Sequence, residues 1–245
     1  MEYLCTANLN IYDSPECHSL ATQAAKGRYL EIIEPTGNSN SSDRSAVMVR
    51  LVEDDYPGWL LKSDLDKLEP ALTPYQFPIL SVEEIKNRLP EAIAFTYEAM
   101  NTPNYYLWGG TVGPNYDCSG LMQAAFASVG IWIPRDAYQQ EAFTEAINTE
   151  AINTEAINLD KRENMLYLLE PGDLIFFGPP EKATHVGLYL GEGRYLHSSG
   201  KKDGRNGIGI DVLSESGDEV SQHYYRQLRG AGRVVTSYQP TGPSQ

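Results

Sequence analysis

Three side chains set the chemical problem: Cys118, His185 and His197. Cys118 follows a glycine-rich polar stretch, Trp108-Gly109-Gly110 and then Pro114-Asn115-Tyr116-Asp117. It opens a mostly apolar run, Leu121 to Val129, that stops at Gly130. Glycine suits the end of a helix, so the run reads as a helix with Cys118 at or just before its first turn. Unpaired N–H groups and the positive end of the helix dipole favour an anion there. The expectation is a thiol that loses its proton readily, because the thiolate is the nucleophile. The competing reading is a buried structural cysteine, since free cysteine is among the most buried residue types. The two histidines weigh against it.

His185-Val186-Gly187-Leu188-Tyr189-Leu190, then Gly191-Glu192-Gly193, then Arg194-Tyr195-Leu196-His197 reads as a β-hairpin. Side chains alternate faces along a strand. With a three-residue loop, Leu190 faces Arg194 and His197 faces Gly187. His185 then shares a face with His197, a diagonal neighbour at roughly 7–8 Å or less. A two-residue loop puts the histidines on opposite faces unless a bulge corrects it. Such a hairpin delivers one histidine to a thiol and a second behind it, the nucleophile, base and orienting group of a cysteine hydrolase. A metal site is the rival use of one cysteine and two histidines. It lacks the close paired spacing of common zinc motifs, so no metal is assigned. The other histidines, His18 and His223, lie apart from this constellation, and Cys5 and Cys17 read as core or incidental.

Residues 1–72 read as short strands, with candidates Leu9–Tyr12, Tyr29–Ile33, Ala46–Val52 and Trp59–Leu61 separated by turn signals. Many short strands without a long helix suggest a small all-β barrel. Residues 73–84 form a proline-rich linker, with Pro70, Pro74 and Pro78 close by or within it. Ser81 and Glu84 have the capping-box spacing, and the helix they open is expected to break or kink at Pro90 and resume to about Met100. Residues 85–237 form a second, α+β domain: helices first, then Leu174–Phe177, the hairpin, a helix over Glu219–Leu228 and a last strand at Arg233-Val234-Val235. Within it, Thr-Glu-Ala-Ile-Asn occurs three times over 144–158. A period of five gives no single apolar face on a helix turning ~100° per residue, so the repeats read as an inert surface insertion. Residues 238–245 read as a frayed tail.

The formal net charge of -14 argues against a nucleic-acid partner, which needs a positive face, and against an anionic membrane surface. Met1–Asn8 carries neither a basic nor an apolar segment of an export signal. The expectation is therefore a cytoplasmic protein with three thiols and no disulfide.

Leu9-Asn10-Ile11-Tyr12 and Tyr56-Pro57-Gly58-Trp59-Leu60 resemble a bacterial SH3-like domain. Asp117-Cys118-Ser119-Gly120-Leu121, Pro134-Arg135 with Gln139, Pro171–Phe177, His185–Gly191 and Leu196-His197 fall in the order of the NlpC/P60 cysteine peptidases. The chain resembles, in particular, the cytoplasmic γ-D-glutamyl-L-diamino acid endopeptidases of murein-peptide recycling. This resemblance implies an all-β SH3-like small barrel followed by a papain-like α+β domain, with no cofactor. It implies Cys118 as nucleophile, His185 as base and His197 as orienting group, with an oxyanion donor from Tyr105 or Tyr106. The substrate implied is a small murein peptide, L-Ala-γ-D-Glu-diamino acid, with a free amine. Asp117 is the first candidate to hold that ammonium, and a helix N-cap is its other reading. Ser119 is expected to assist, Arg135 to hold a substrate carboxylate and Tyr56 to close the site from the first domain. Arg135 fits a structural ion pair equally well. An N-acetylmuramoyl-L-alanine amidase and a non-catalytic wall-peptide binding module are the alternatives.

Overall fold

The computed structural model describes residues 1–33, 45–147, 161–202 and 204–242. Seven strands form the N-terminal sheet: β1 Glu2–Cys5, β2 Leu9–Tyr12, β3 Leu20–Ala24, β4 Tyr29–Ile32, β5 Ala46–Leu51, β6 Pro57–Leu61 and β7 Leu68–Pro70. Their order is β3-β2-β6-β5-β4-β1-β7. The domain is SH3-like, but its sheet is not closed, because β3 and β7 remain edges. Its core is Cys5, Leu9, Ile11, Leu30, Val49, Leu51 and Leu60. Cys5 is thus a core residue, and all three cysteines are free thiols.

Ser81 caps α1, Val82–Asn101, in the expected capping box with Glu84. The helix runs through Pro90 without the expected break. Pro90 lies on the exposed side, where water satisfies the carbonyl it strips of a partner. Next come α2, Cys118–Ser128, and α3, Ala137–Phe143. Gly130, at φ 73°, follows the end of α2 as expected, and Ile131 N–H returns to the Phe126 carbonyl at 3.0 Å.

The second sheet has the order β12-β11-β10-β9-β13-β8. Its strands are β8 Glu145–Ala146, β9 Leu174–Phe177, β10 His185–Gly191, β11 Arg194–Ser199, β12 Gly207–Val212 and β13 Leu228–Arg233. Helix α4, Lys161–Leu168, precedes β9, and α5, Glu219–Arg226, precedes β13. Strand β13 begins earlier than the expected Arg233–Val235 strand. Residues 148–158 of the repeats lie outside the described residues. The first copy joins the sheet, where Glu145 and Ala146 pair with Arg233 and Gly232.

Helix α2 buries Leu121, Met122 and Phe126 against Leu174, Phe176, Val186, Leu188 and Leu196. Each fully buried side chain of this size stabilises by roughly 1.5–3 kcal/mol. The opposite face of the sheet carries Ile175, Phe177, Tyr189 and Tyr195 against Met165 and Tyr224. Two covered faces explain why β9 is buried at every position. Residues 238–241 are not frayed. Tyr238 N–H reaches the Trp132 carbonyl at 2.7 Å, and Tyr238 and Thr241 both hydrogen-bond Asp55 of the N-terminal sheet domain.

Candidate active site

Cys118 is the first residue of α2, and Asp117 is its N-cap, accepting from Gly120 N–H at 2.7 Å. A side chain at Gly120 would collide with the Gly110 carbonyl, so glycine here lets the Trp108-Gly109-Gly110 loop press on the helix start. The Asp117 carboxylate also takes Gly109 N–H at 2.8 Å and the Arg135 guanidinium at 2.6 and 3.1 Å. Arg135 is 2% exposed and spends its remaining contacts on Thr22 Oγ1 and Ser119 Oγ, each at 2.9 Å. A carboxylate offers about four acceptor sites, and Asp117 has filled them. Two expectations narrow accordingly. Asp117 is an N-cap and a buried ion-pair partner with no acceptor left for a substrate ammonium. Arg135 fits the structural ion pair that was its other reading, with its guanidinium engaged by Asp117, Thr22 and Ser119. Ser119 is 5% exposed and belongs to the same network.

The hairpin turns through two residues, with Gly191 opposite Arg194, and a bulge between Tyr189 and Gly191 resets the register. Leu188 opposes Leu196, so Gly187 falls opposite His197 and both histidines share a face. A Cβ on Gly187 would stand 3.3 Å from His197 Cβ and 2.7 Å from the Tyr195 ring, so glycine makes the room. His185 and His197 meet at 2.6 Å, Nε2 to Nδ1. Behind them, His197 Nε2 lies 2.7 Å from Asp211 Oδ2. Asp211 is 2% exposed and also accepts from Arg205 and from Ser221 Oγ. Burial works against its charge, but the hydrogen bonds from His197 and Arg205 outweigh it and hold this carboxyl well below the usual range. An ionised Asp211 only accepts, so His197 carries its proton on Nε2. Neutral His197 then accepts at Nδ1 from His185 Nε2–H, which leaves the lone pair of His185 on Nδ1. Tyr224 of α5 stacks on His185 at 4.3 Å between ring centroids, 27° from parallel.

The backbone N–H groups of Val186, next to His185, and of Ser119 favour the Cys118 thiolate. The expected easy ionisation is reversed. Burial first, and then the Asp117 charge, push the thiol up to about 12. Burial, then His197 and His223, hold His185 well below 6.5. Both shifts favour the uncharged forms, a thiol at Cys118 and a neutral imidazole at His185. Helix placement alone misled here because the 6% exposure of Cys118 and the Asp117 carboxylate override the dipole.

A cleft of ≈380 Å³ opens on Cys118 and is lined by Asp117, Ser119, Arg135, Asp136, Tyr138, Tyr106, Trp108 and Lys182. Its other wall comes from the N-terminal sheet domain: Asp13, Leu20, Ala21 and Tyr56. Tyr56 Oη is 3.4 Å from Asp136 Oδ1. Of the two tyrosines considered, Tyr106 lines the cleft while Tyr105 is 52% exposed and lies outside its lining. Burial, then the neighbouring Cys118 and Asp117, raise the Tyr106 hydroxyl and keep it a donor. A larger cavity of ≈520 Å³, lined by Arg28, Tyr75, Phe95 and Trp132 among others, contains none of the three candidate catalytic residues. Sequence reasoning missed Asp136, Asp211 and Tyr224. Asp136 was visible as the residue after Arg135, but Asp211 and Tyr224 carry no local signal.

The sequence model of the NlpC/P60 family matches residues 103–229. The chain belongs to the NlpC/P60 family. A model described as a bacterial dipeptidyl-peptidase Sh3 domain matches residues 11–65. NlpC/P60 proteins are cysteine peptidases that act on peptidoglycan. This NlpC/P60 chain is 25% identical to the γ-D-glutamyl-L-lysine dipeptidyl-peptidase of Bacillus subtilis (strain 168), over 86% of this chain and 78% of that protein. It is 33% identical to the murein DD-endopeptidase MepH of Escherichia coli (strain K12), over 54% of this chain and 41% of that one. Among solved structures, an NlpC/P60 family protein from Bacillus cereus ATCC 10987 is 25% identical with a TM-score of 0.41, covering 96% of this chain and 63% of that one.

Proposed function

We propose that this protein is a cysteine endopeptidase that cuts the γ-D-Glu–L-diamino acid bond of free murein peptides bearing an unblocked N-terminal L-Ala, in cell-wall recycling. The observation that carries the reading is the wall of the Cys118 cleft built by Asp13 and Tyr56 from the N-terminal domain, opposite Asp136. With Asp117 occupied by Arg135, Asp13, Asp136 and Tyr56 Oη are the acceptors left in the cleft for a substrate ammonium. The name of the Bacillus subtilis relative, a γ-D-glutamyl-L-lysine dipeptidyl-peptidase, supports the same bond.

In this mechanism His185 Nδ1 takes the Cys118 proton as sulfur attacks the γ-carbonyl carbon of D-Glu. The oxyanion is received by Cys118 backbone N–H and Tyr106 Oη–H. His197, backed by Asp211, holds the His185 imidazolium. Collapse breaks the C–N bond, and His185 returns the proton to the leaving amine of the diamino acid. Water, deprotonated by His185, then hydrolyses the thioester and frees L-Ala-γ-D-Glu.

The test is mass spectrometry of L-Ala-γ-D-Glu-meso-diaminopimelate, its N-acetylated copy and glycan-linked peptide, each with wild type and Cys118→Ala. The expected result is L-Ala-γ-D-Glu released from the free peptide alone, and none with Cys118→Ala. Equal cleavage of the acetylated copy removes amine recognition. Cleavage of the glycan-linked peptide at the muramoyl–alanine bond turns the assignment to an amidase.

A further inference from the structure

On the substrate reading above, the positive charge of the cleft has a partner in the ligand. The groups lining the cleft include three carboxylates, Asp13, Asp117 and Asp136, and two cations, Arg135 and Lys182. Asp117 and Arg135 cancel in their buried pair. What remains to meet a ligand is two carboxylates and one ammonium. Lys182 is exposed, and among the described residues it forms no ion pair. Its Nζ lies 5.4 Å from the centroid of the Tyr138 ring.

The loop carrying Lys182 is fixed. Glu141, one turn beyond Tyr138 on α3, accepts Ala183 N–H at 3.2 Å and pairs with Arg229 at 2.9 Å. Thr184 N–H closes onto the Phe177 carbonyl at 2.9 Å. Lys182 and Tyr138 are therefore held together by the same helix. In sequence, Tyr138 is two residues from Asp136 and Lys182 is three residues from His185. The pair lines the same cleft as Asp136, an acceptor for the ammonium, and Cys118, the nucleophile that meets the scissile carbonyl. In L-Ala-γ-D-Glu the group between the ammonium and the γ-carbonyl is the α-carboxylate of D-glutamate.

We propose that Lys182, held over Tyr138, binds the α-carboxylate of the γ-linked D-glutamate and selects it against the α-carboxamide. An ammonium gains a charge-assisted hydrogen bond from a carboxylate, which an amide does not offer in the same strength. A single such contact corresponds to a preference of about tenfold to a hundredfold.

The experiment compares kcat/KM for L-Ala-γ-D-Glu-L-Lys and L-Ala-γ-D-isoglutaminyl-L-Lys in wild type, Lys182→Met and Lys182→Arg. The acid is expected to lead in wild type by that factor, the lead to collapse toward one in Lys182→Met, and much of it to return in Lys182→Arg. In parallel, calorimetry on Cys118→Ala measures binding of L-Ala-γ-D-Glu and its α-amide, with and without Lys182→Met. Equal kcat/KM for acid and amide in wild type overturns the inference, as does a Lys182→Met change that lowers both by one factor. Failure of wild type to cleave either peptide overturns the endopeptidase reading. In that case acid-selective binding lost with Lys182→Met still supports the carboxylate site, and unselective binding overturns it.

Discussion

Asp211→Asn is the sharpest perturbation of the proposed machinery, because it keeps shape and removes one charge. Asp211 Oδ1 faces Arg205 and Ser221 Oγ, both donors, while Oδ2 faces His197 Nε2 at 2.7 Å. An asparagine turns its carbonyl oxygen to the two donors and its amide nitrogen to His197. His197 Nε2 must then accept, so its proton moves to Nδ1. The 2.6 Å contact to His185 reverses, and the His185 proton moves to Nδ1, the position that must be empty for a base. Loss of the charge-assisted bond costs about 1.5–3 kcal/mol, tenfold to ~150-fold in rate. A reversed tautomer in a comparable nucleophile–base pair costs up to ~10⁴. The expected loss in kcat/KM is between about 10² and 10⁴, mostly in kcat, with the free-peptide assay as readout. Thermal melting separates this from unfolding. A folded Asp211→Asn protein retaining activity within about threefold of wild type would refute the claim that Asp211, acting through His197, sets the tautomer of His185.

Four further outcomes follow from the same geometry. Tyr106→Phe is expected to lower kcat by about 10²–10³ with little change in KM, as loss of one oxyanion donor does; steady-state kinetics checks it, and a pure KM effect assigns Tyr106 to substrate binding. The acid limb of kcat/KM against pH is expected below 6.5, because burial depresses His185 and the base stays free as pH falls. The folded pKa values of His185 and His197 lie below their unfolded ones, so stability is full above about 6.5 and declines as pH falls through that value, which denaturant titrations at pH 5 and 7 measure. Gly187→Ala places a Cβ 2.7 Å from the Tyr195 ring and 3.3 Å from His197 Cβ; it is expected to destabilise by about 1–3 kcal/mol and to cut activity more than its melting shift explains.

The N-terminal strands were legible where alternation was strong. β2 matches its expected limits, and β4 and β5 each end one residue short of theirs. Strands β3, with sequence Leu-Ala-Thr-Gln-Ala, and β12, with Gly-Ile-Gly-Ile-Asp-Val, were not expected, because small residues and glycines dilute the strand signal. The last strand shows the same conflict: Val234 and Val235 attract the reading, but pairing with β9 places β13 on Leu228–Arg233. The proximity of His185 and His197 was legible because strand periodicity is local, although the loop is shorter than expected and the bulge restores the register. Asp211 stayed hidden because it lies on the unread strand β12. The Asp117–Arg135 pair, 18 residues apart, depends on a fold that brings α2 to the start of α3. Local sequence left each with two readings, substrate contact or structural partner, and only their mutual contact shows that they satisfy each other.

The strap formed by residues 238–241 changes how the molecule is able to move. Two bodies joined by a single linker share a hinge. Here the linker before α1 tethers one side, while Tyr238 and Thr241 clasp Asp55 on the N-terminal domain. Asp54, the neighbouring residue, is latched to Gln123 of the nucleophile's own helix at 2.7 Å. Tethered at both sides, the N-terminal domain must break these hydrogen bonds before it can swing about the linker. The aperture above Cys118, walled by both domains, is therefore buttressed from two sides, and its width depends on both tethers.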